Sequence, residues 1–237
     1  MLTTRHGVAW DPAGYRMEHR PLVLAERVPC PAITGAFGWL DMLIKIPFGE
    51  ARLPSGMPPG IRSLVENCLF ADSDTDARYA YLTIDRRIVA PGRTHRNAGW
   101  HFDGMQGARY STKLPACRQY VVTWEGAPTE FCSGPFDLVR LNEREHNWFT
   151  ALLTQPVGEV FTYAPGTVIA MTAYQTHRSP VATARGWRTF FRLDLSYKRQ
   201  DRLGNTMNPA LPAPWTLVPR TLPAHLITPI NDTGWSG

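Results

Sequence analysis

The ten residues Arg188–Tyr197 read RTFFRLDLSY and carry the clearest strand pattern in the chain. Thr189, Phe191, Leu193, Leu195 and Tyr197 fall on one side of an extended chain, and Arg188, Phe190, Arg192, Asp194 and Ser196 on the other. Side chains alternate between the two faces of a strand, so this segment has one apolar and one largely polar face. Inside a sandwich or barrel the polar face would line a pocket; on a plain surface sheet it would only be solvated. Upstream lie other strand signals. Tyr79–Ile84 alternates and is rich in Tyr, Thr and Ile, and Gln119–Trp124 is β-branched and aromatic. Val160–Tyr163 precedes the turn Ala164-Pro165-Gly166, and Thr167–Thr172 (TVIAMT) reads as a buried strand.

Three helices are predicted toward the N-terminus and within the strand-rich region. The first covers Ile33–Lys45. The second, Gly60–Phe70, follows Pro58-Pro59 and carries Ile61, Leu64, Val65, Cys68 and Leu69 at helical spacing. The third, Glu143–Leu153, has Asn142 as cap and Glu145 three residues on, with Trp148, Phe149, Leu152 and Leu153 as its apolar face. After Asp201 the chain becomes Pro-rich and irregular, a wrapping tail. The order of elements predicts an α+β or mainly β architecture, such as a double-sheet jelly roll with flanking helices.

Composition agrees. The chain has 237 residues, enough for one domain with a sizeable core. Charged residues make up only 19% and hydrophobic ones 43%, which excludes disorder as the dominant state. The 21 prolines and 19 glycines favour short strands and turns over long helices. A single domain over residues 1–237 is expected, with a core over about 79–197, N-terminal support over 1–78 and a tail over 198–237. The N-terminus has no apolar signal region, and the most apolar stretch, Ala32–Phe48, is interrupted by Asp41 and Lys45, so neither secretion nor a membrane span is predicted. Cys30, Cys68, Cys117 and Cys132 are far apart and form no CxxC pair, which reads as reduced thiols in a cytoplasmic protein.

Chemistry is most legible around two histidines. His101 and Asp103 form a His-x-Asp pair, and residues two apart on a strand point to the same side. His177 lies just past the end of the TVIAMT strand. Two histidines and one carboxylate on one metal leave three positions open, the facial set used by non-haem iron oxygenases. Arg188 is separated from His177 by ten residues and heads the polar-faced strand, where a guanidinium could pair with a carboxylate. A lone strand histidine is ordinarily structural; the combination is what points to a metal. His95 lacks a carboxylate two residues on and sits in a Gly/Arg/Asn loop, which makes it a decoy ligand. His146 is expected to be exposed, and His6, His19 and His225 have no motif around them. There is no GxSxG elbow, phosphate loop or GxGxxG.

This constellation resembles the Fe(II)/2-oxoglutarate-dependent dioxygenase superfamily, whose core is a double-stranded β-helix of jelly-roll type. The matching residues are His101, Asp103, His177 and Arg188, within a region of resemblance from about Tyr79 to Tyr197. The resemblance implies His101, Asp103 and His177 as iron ligands and Arg188 as holder of the far carboxylate of 2-oxoglutarate. Thr129 resembles a threonine on a neighbouring strand in some members and would also contact the cosubstrate. One departure is Phe190, where several branches carry Ser or Thr two residues beyond the arginine, so Arg192 or Arg185 could serve in place of Arg188. A same-face ion pair with Asp194 is an equal reading for Arg192. The implied reaction uses Fe(II), 2-oxoglutarate and O2, hydroxylates a C–H bond and releases succinate and CO2. The presence of Asp103 favours hydroxylation over halogenation, since related halogenases lack this carboxylate.

The substrate is less legible. Gly104–Arg109 follows the metal pair and is expected to border the site. Arg86, Arg87, Arg93, His95 and Arg96 form a basic cluster that either attracts phosphates or is a solvated basic edge. The net charge of +5 admits both. A small-molecule substrate is expected, with the same chemistry on a nucleobase, in a nucleotide or nucleic acid, as a second reading. A cupin-like metal-binding protein without turnover is the non-enzymatic one.

Overall fold

The computed structural model describes residues 10–72, 74–96, 98–103, 116–138, 158–211 and 217. Among these, the chain forms the strands β1 (Leu22–Ala25), β2 (Phe37–Lys45), β3 (Tyr79–Val89), β4 (Arg118–Trp124), β5 (Glu130–Cys132), β6 (Val160–Thr162), β7 (Val168–Thr172), β8 (Thr176–Arg178) and β9 (Gly186–Ser196), with one helix, α1 (Pro59–Ala71). They build a six-stranded sheet, ordered β1-β7-β4-β9-β3-β2, and a three-stranded sheet, β6-β5-β8. Every strand pair is antiparallel. The fold is mainly β, a jelly roll of two facing sheets.

Strand β9 lies at the centre of the large sheet, and both of its faces are buried. Phe191, Leu193 and Leu195 join Leu82 and Ile84 of β3, Tyr120, Val122 and Trp124 of β4, and the inner face of α1. The predicted helix is confirmed as α1, and Ile61, Leu64, Val65 and Cys68 are its buried residues. Each large apolar side chain buried here stabilises the fold by about 1.5–3 kcal/mol. On the opposite face of β9, Phe190 packs with Val121, Ile169 and Met171 of the large sheet and with Phe131 of the small one. That second cluster joins the two sheets and backs the site.

The helix predicted over Ile33–Lys45 is instead strand β2, paired with β3. Two bulges explain the misreading. Between Trp39 and Met42 the strand advances three residues while β3 advances two, and a second irregularity falls between Leu43 and Lys45. Each extra residue breaks the period-two alternation and gives the segment an apparent helical spacing. The first bulge includes Asp41, whose φ is +43°, and it turns this carboxylate toward β9. The short strands β1, β5 and β8 were not anticipated; His177 lies past the end of β7, as expected, and within β8. The helix predicted over Glu143–Leu153 and the stretch Gly104–Arg109 lie outside the described residues.

The irregular segment after β9 covers the edge of the large sheet. Thr206 exchanges hydrogen bonds with the Leu40 backbone (2.7 and 2.8 Å), and Asn208 Nδ2 donates to the carbonyls of Leu43 (2.9 Å) and Arg52 (2.8 Å). Covering an edge strand in this way removes a template for unwanted pairing. The four cysteines are free thiols, with Cys30 exposed and the others buried. Among the described residues no helix is long and apolar enough to cross a membrane.

Candidate active site

The small sheet brings the two histidines together. His101 and His177 form an antiparallel bridge, each backbone N–H donating to the other's carbonyl (3.0 and 2.8 Å), so their rings stand side by side with centroids 4.4 Å apart. On the other side of β8, His177 is in register with Phe131 of β5. Asp103 reaches the same point from two residues beyond His101. Its Oδ1 lies 3.9 Å from His101 Nε2 and its Oδ2 3.5 Å from His177 Nε2. One ligand atom from each of the three residues lies within 4.8 Å of the others. His101 Nδ1 contacts the Gly99 carbonyl at 2.7 Å, and His177 Nδ1 contacts that of Gln175 at 3.1 Å. A carbonyl only accepts, so each Nδ1 carries the proton and each Nε2 keeps a lone pair for a metal. The cluster is a candidate metal centre.

No family model matches this chain, and no curated protein matches it. Solved structures similar to it include AviO1 from Streptomyces viridochromogenes, at 13% identity over 86% of this chain and 96% of that one, with a TM-score of 0.43. A second is an oxidoreductase of the 2OG-Fe(II) oxygenase family from Burkholderia pseudomallei, at 16% identity over 66% of this chain and 65% of that one, TM-score 0.33. A third is HygX from Streptomyces hygroscopicus with nickel and 2-oxoglutarate bound, at 11% identity over 62% of this chain and 81% of that one, TM-score 0.31. What the site of this chain can do is decided by its own side chains.

Electrostatics keep the three ligands ready for a cation. Burial, foremost, and then the neighbouring His177 hold the His101 imidazole down to about 4, so it is neutral near pH 7. Burial by itself would raise Asp103, but Arg192 outweighs it and holds the carboxyl well below the usual range. Arg192 bridges two acids: Nη1 contacts Asp103 Oδ2, and Nη2 donates to Asp41 Oδ1 at 2.6 Å. Asp41 is held in turn by Thr83 Oγ1 (2.9 Å) and Arg202 Nη2 (3.3 Å). Arg192 is thus committed to the metal-ligand carboxylate and to the bulge of β2. Asp194, the other partner considered for it, accepts from Gln119 Nε2 at 3.1 Å.

Arg188 sits differently. It is buried, and Nε donates to the Ala127 carbonyl (2.8 Å), Nη2 to Thr129 Oγ1 (3.0 Å) and more distantly to Thr123 Oγ1 (3.5 Å). Its Nη1 meets His95 Nδ1 at 2.8 Å. All of these are neutral acceptors, and among the described residues no carboxylate lies within ion-pair distance of Arg188. Burial, and then the nearby Arg96, push its pKa down to about 9, which marks a cation short of an anion. Thr123 and Thr129 are 3.1 Å apart and line a small cleft walled by Val121, Phe131, Tyr163 and Ile169. Thr129, expected from the sequence as a cosubstrate contact, is placed beside Arg188. Arg185 is exposed ahead of β9.

The basic cluster is not the solvated edge considered from the sequence. Arg86 pairs with Glu125 (3.2 Å) and lies over the Trp187 ring at 4.1 Å. Arg87 clamps Asp85 (2.9 and 2.6 Å). Arg96 lies 3.5 Å from Asp85 and 5.1 Å over the ring of Phe190. His95 is buried, and Arg93 is exposed. Phe190, the departure from the family pattern, is a core residue whose ring also lies 5.7 Å from the Arg188 guanidinium. His19 contacts the Gly14 carbonyl (2.7 Å) and stacks on Tyr174. His6, His146 and His225 lie outside the described residues. Asp41, Asp85 and Thr123 are site residues that sequence reasoning missed; none belongs to a local motif.

Proposed function

We propose that this chain is an Fe(II)- and 2-oxoglutarate-dependent oxygenase that hydroxylates a C–H bond of a small molecule. The observation that carries this reading is that one site region holds the His101–Asp103–His177 cluster, with both histidines buried, and Arg188, a buried guanidinium surrounded by neutral acceptors. The protein's part is to hold three deprotonated donors on one side of the metal and to leave the other side open. When bound, iron(II) and 2-oxoglutarate would supply the activation of dioxygen, with loss of CO2 and succinate as coproduct. Arg188 would take the distal carboxylate of the keto acid, as guanidinium groups do in charge-assisted pairs. Thr129 and Thr123 orient that guanidinium and line the adjoining cleft. Arg192, braced by Asp41, keeps Asp103 ionised and in place. Val121, Phe131 and Ile169 wall the cleft with apolar surface, which limits water near the reacting groups.

The internal pairing of Arg86 with Glu125 and of Arg87 with Asp85 favours a small substrate over a nucleic acid. The test is anaerobic addition of Fe(II) followed by 2-oxoglutarate. A visible charge-transfer band is expected with the wild type, absent in His101→Ala and His177→Ala and weakened in Arg188→Ala. A band that survives His177→Ala removes that residue from the ligand set. Succinate formation in air with a panel of small molecules then tests turnover.

A further inference from the structure

We infer that His95, set beside Asp85, is a positioning residue that fixes Arg188 for the distal carboxylate of a 2-oxo dicarboxylic acid. The inference rests on the proposed use of Arg188 and extends it to two residues with no place in the metal motif. A guanidinium has only donors. The 2.8 Å contact between Arg188 Nη1 and His95 Nδ1 therefore requires the lone pair on Nδ1 and the proton on Nε2. That Nε2 faces Asp85 Oδ2 at 3.3 Å, close enough for a charge contact but not aligned as a hydrogen bond. The Arg188 contact sets the tautomer, and the Asp85 carboxylate stands beside the nitrogen that then carries the proton.

This arrangement explains how a buried arginine stays both fixed and available. Contacts to Ala127, His95, Thr129 and Thr123 occupy four of the five N–H directions. The fifth, on Nη1, together with the long Nη2 contact to Thr123, is left for an incoming carboxylate. A carboxylate in the place of His95 would neutralise Arg188; a neutral imidazole orients it and leaves its charge unspent. Asp85 acts at one remove. It is itself clamped by Arg87 and approached by Arg96 at 3.5 Å, so it is not drawn onto Arg188.

The loop carrying His95 is tied to the segment that leads into β9. Thr94 bridges Val181, Gly92 N donates to Ala182 O (2.9 Å), and Ala182 N donates to Arg93 O (2.8 Å). Arg188 and its brace therefore move as one unit. The charged groups facing His95 are Asp85, Arg87, Arg96 and Arg188. Burial, foremost, with the added effect of Arg188, keeps the imidazole near 4 against the pull of Asp85. It remains a neutral acceptor at ordinary pH.

The test compares two keto acids on the nickel(II)-loaded protein by calorimetry. 2-Oxoglutarate has the distal carboxylate; 2-oxobutanoate has the same metal-binding end and lacks it. In His95→Leu, affinity for 2-oxoglutarate is expected to fall about tenfold, the scale of one charge-assisted hydrogen bond. Affinities for 2-oxobutanoate and nickel stay at the wild-type values. His95→Asn, which keeps an acceptor near Nδ1, restores most of the loss, and Asp85→Asn gives an intermediate one. On an Arg188→Met background, His95→Leu adds nothing. If His95→Leu does not fold, the Asn and Asp85→Asn variants carry the comparison. Unchanged 2-oxoglutarate affinity, or an equal loss for both keto acids, overturns the inference while the proposed function stands. Failure of the wild type to bind 2-oxoglutarate removes both.

Discussion

Replacing Arg192 with methionine tests the charge balance around the metal ligands. Arg192 is buried and bridges Asp41 and Asp103, and methionine keeps much of its volume while removing its charge. Breaking a buried pair by removing one partner costs about 3–5 kcal/mol, because the remaining charge is left uncompensated. For a protein of this size 1 kcal/mol corresponds to about 2–4 °C, so the metal-free variant is expected to melt about 6–20 °C lower at pH 7. Nickel(II) should then raise the melting temperature of the variant more than that of the wild type, since the added cation supplies charge that Arg192 no longer does. The effect is pH-dependent with a definite sign. Burial tends to raise Asp41, but Arg192 and Arg202 outweigh it and bring the carboxyl from an ordinary 3.8 to about 2. That depression contributes about 2–3 kcal/mol of stability above pH 4, lost as the pH falls toward 2. The gap between wild type and variant therefore narrows over that window. Differential scanning calorimetry with and without nickel measures all three effects. A metal-free variant melting within about 2 °C of the wild type would refute the reasoning, because the two carboxylates would not then depend on Arg192.

Other residues allow narrower tests. Arg188→Met should raise KM for 2-oxoglutarate by about a hundredfold, the loss expected when two bonds to a carboxylate disappear; steady-state kinetics against the keto acid read it. Phe191→Ala removes a fully buried ring between β9 and α1 and should cost about 3–5 kcal/mol in a urea melt. Because His101 is held near 4, protons should compete with nickel for its Nε2 only below about pH 5, which the pH dependence of its ring resonances in the metal-free protein would show. The same depression means that the folded chain binds fewer protons than the unfolded one between the ordinary 6.5 and about 4, so metal-free stability should decline as pH falls through that window. Urea melts at a series of pH values check it.

How legible these features were in the sequence depended on their range. The alternation of Arg188–Tyr197 survived because β9 is buried on both faces by different partners, and its full pairing with β3 keeps the register unbroken. β2 was misread because its bulges erase that period, and its identity as a strand comes from β3 rather than from its own side chains. His101 and Asp103 could be picked out because residues two apart on a strand share a face, and His177 because it follows the buried strand Thr167–Thr172. His95 was set aside because loops have no period, and its partner Arg188 lies 93 positions away.

The sequence by itself determined the class of architecture, the three donor residues and two candidate arginines on one strand face, since binary patterning and donor chemistry are local properties. Only the tertiary structure gave Arg188 and Arg192 different surroundings. Strand alternation places both on the same side of β9. The bulge of β2 delivers Asp41 to Arg192, and Asp103 completes that pair. Arg188 instead meets Thr129 from β4–β5 and His95 from the loop after β3, all neutral acceptors. The physical reason is that a buried guanidinium is defined by which acceptors reach it, and chain segments far apart in sequence supply them.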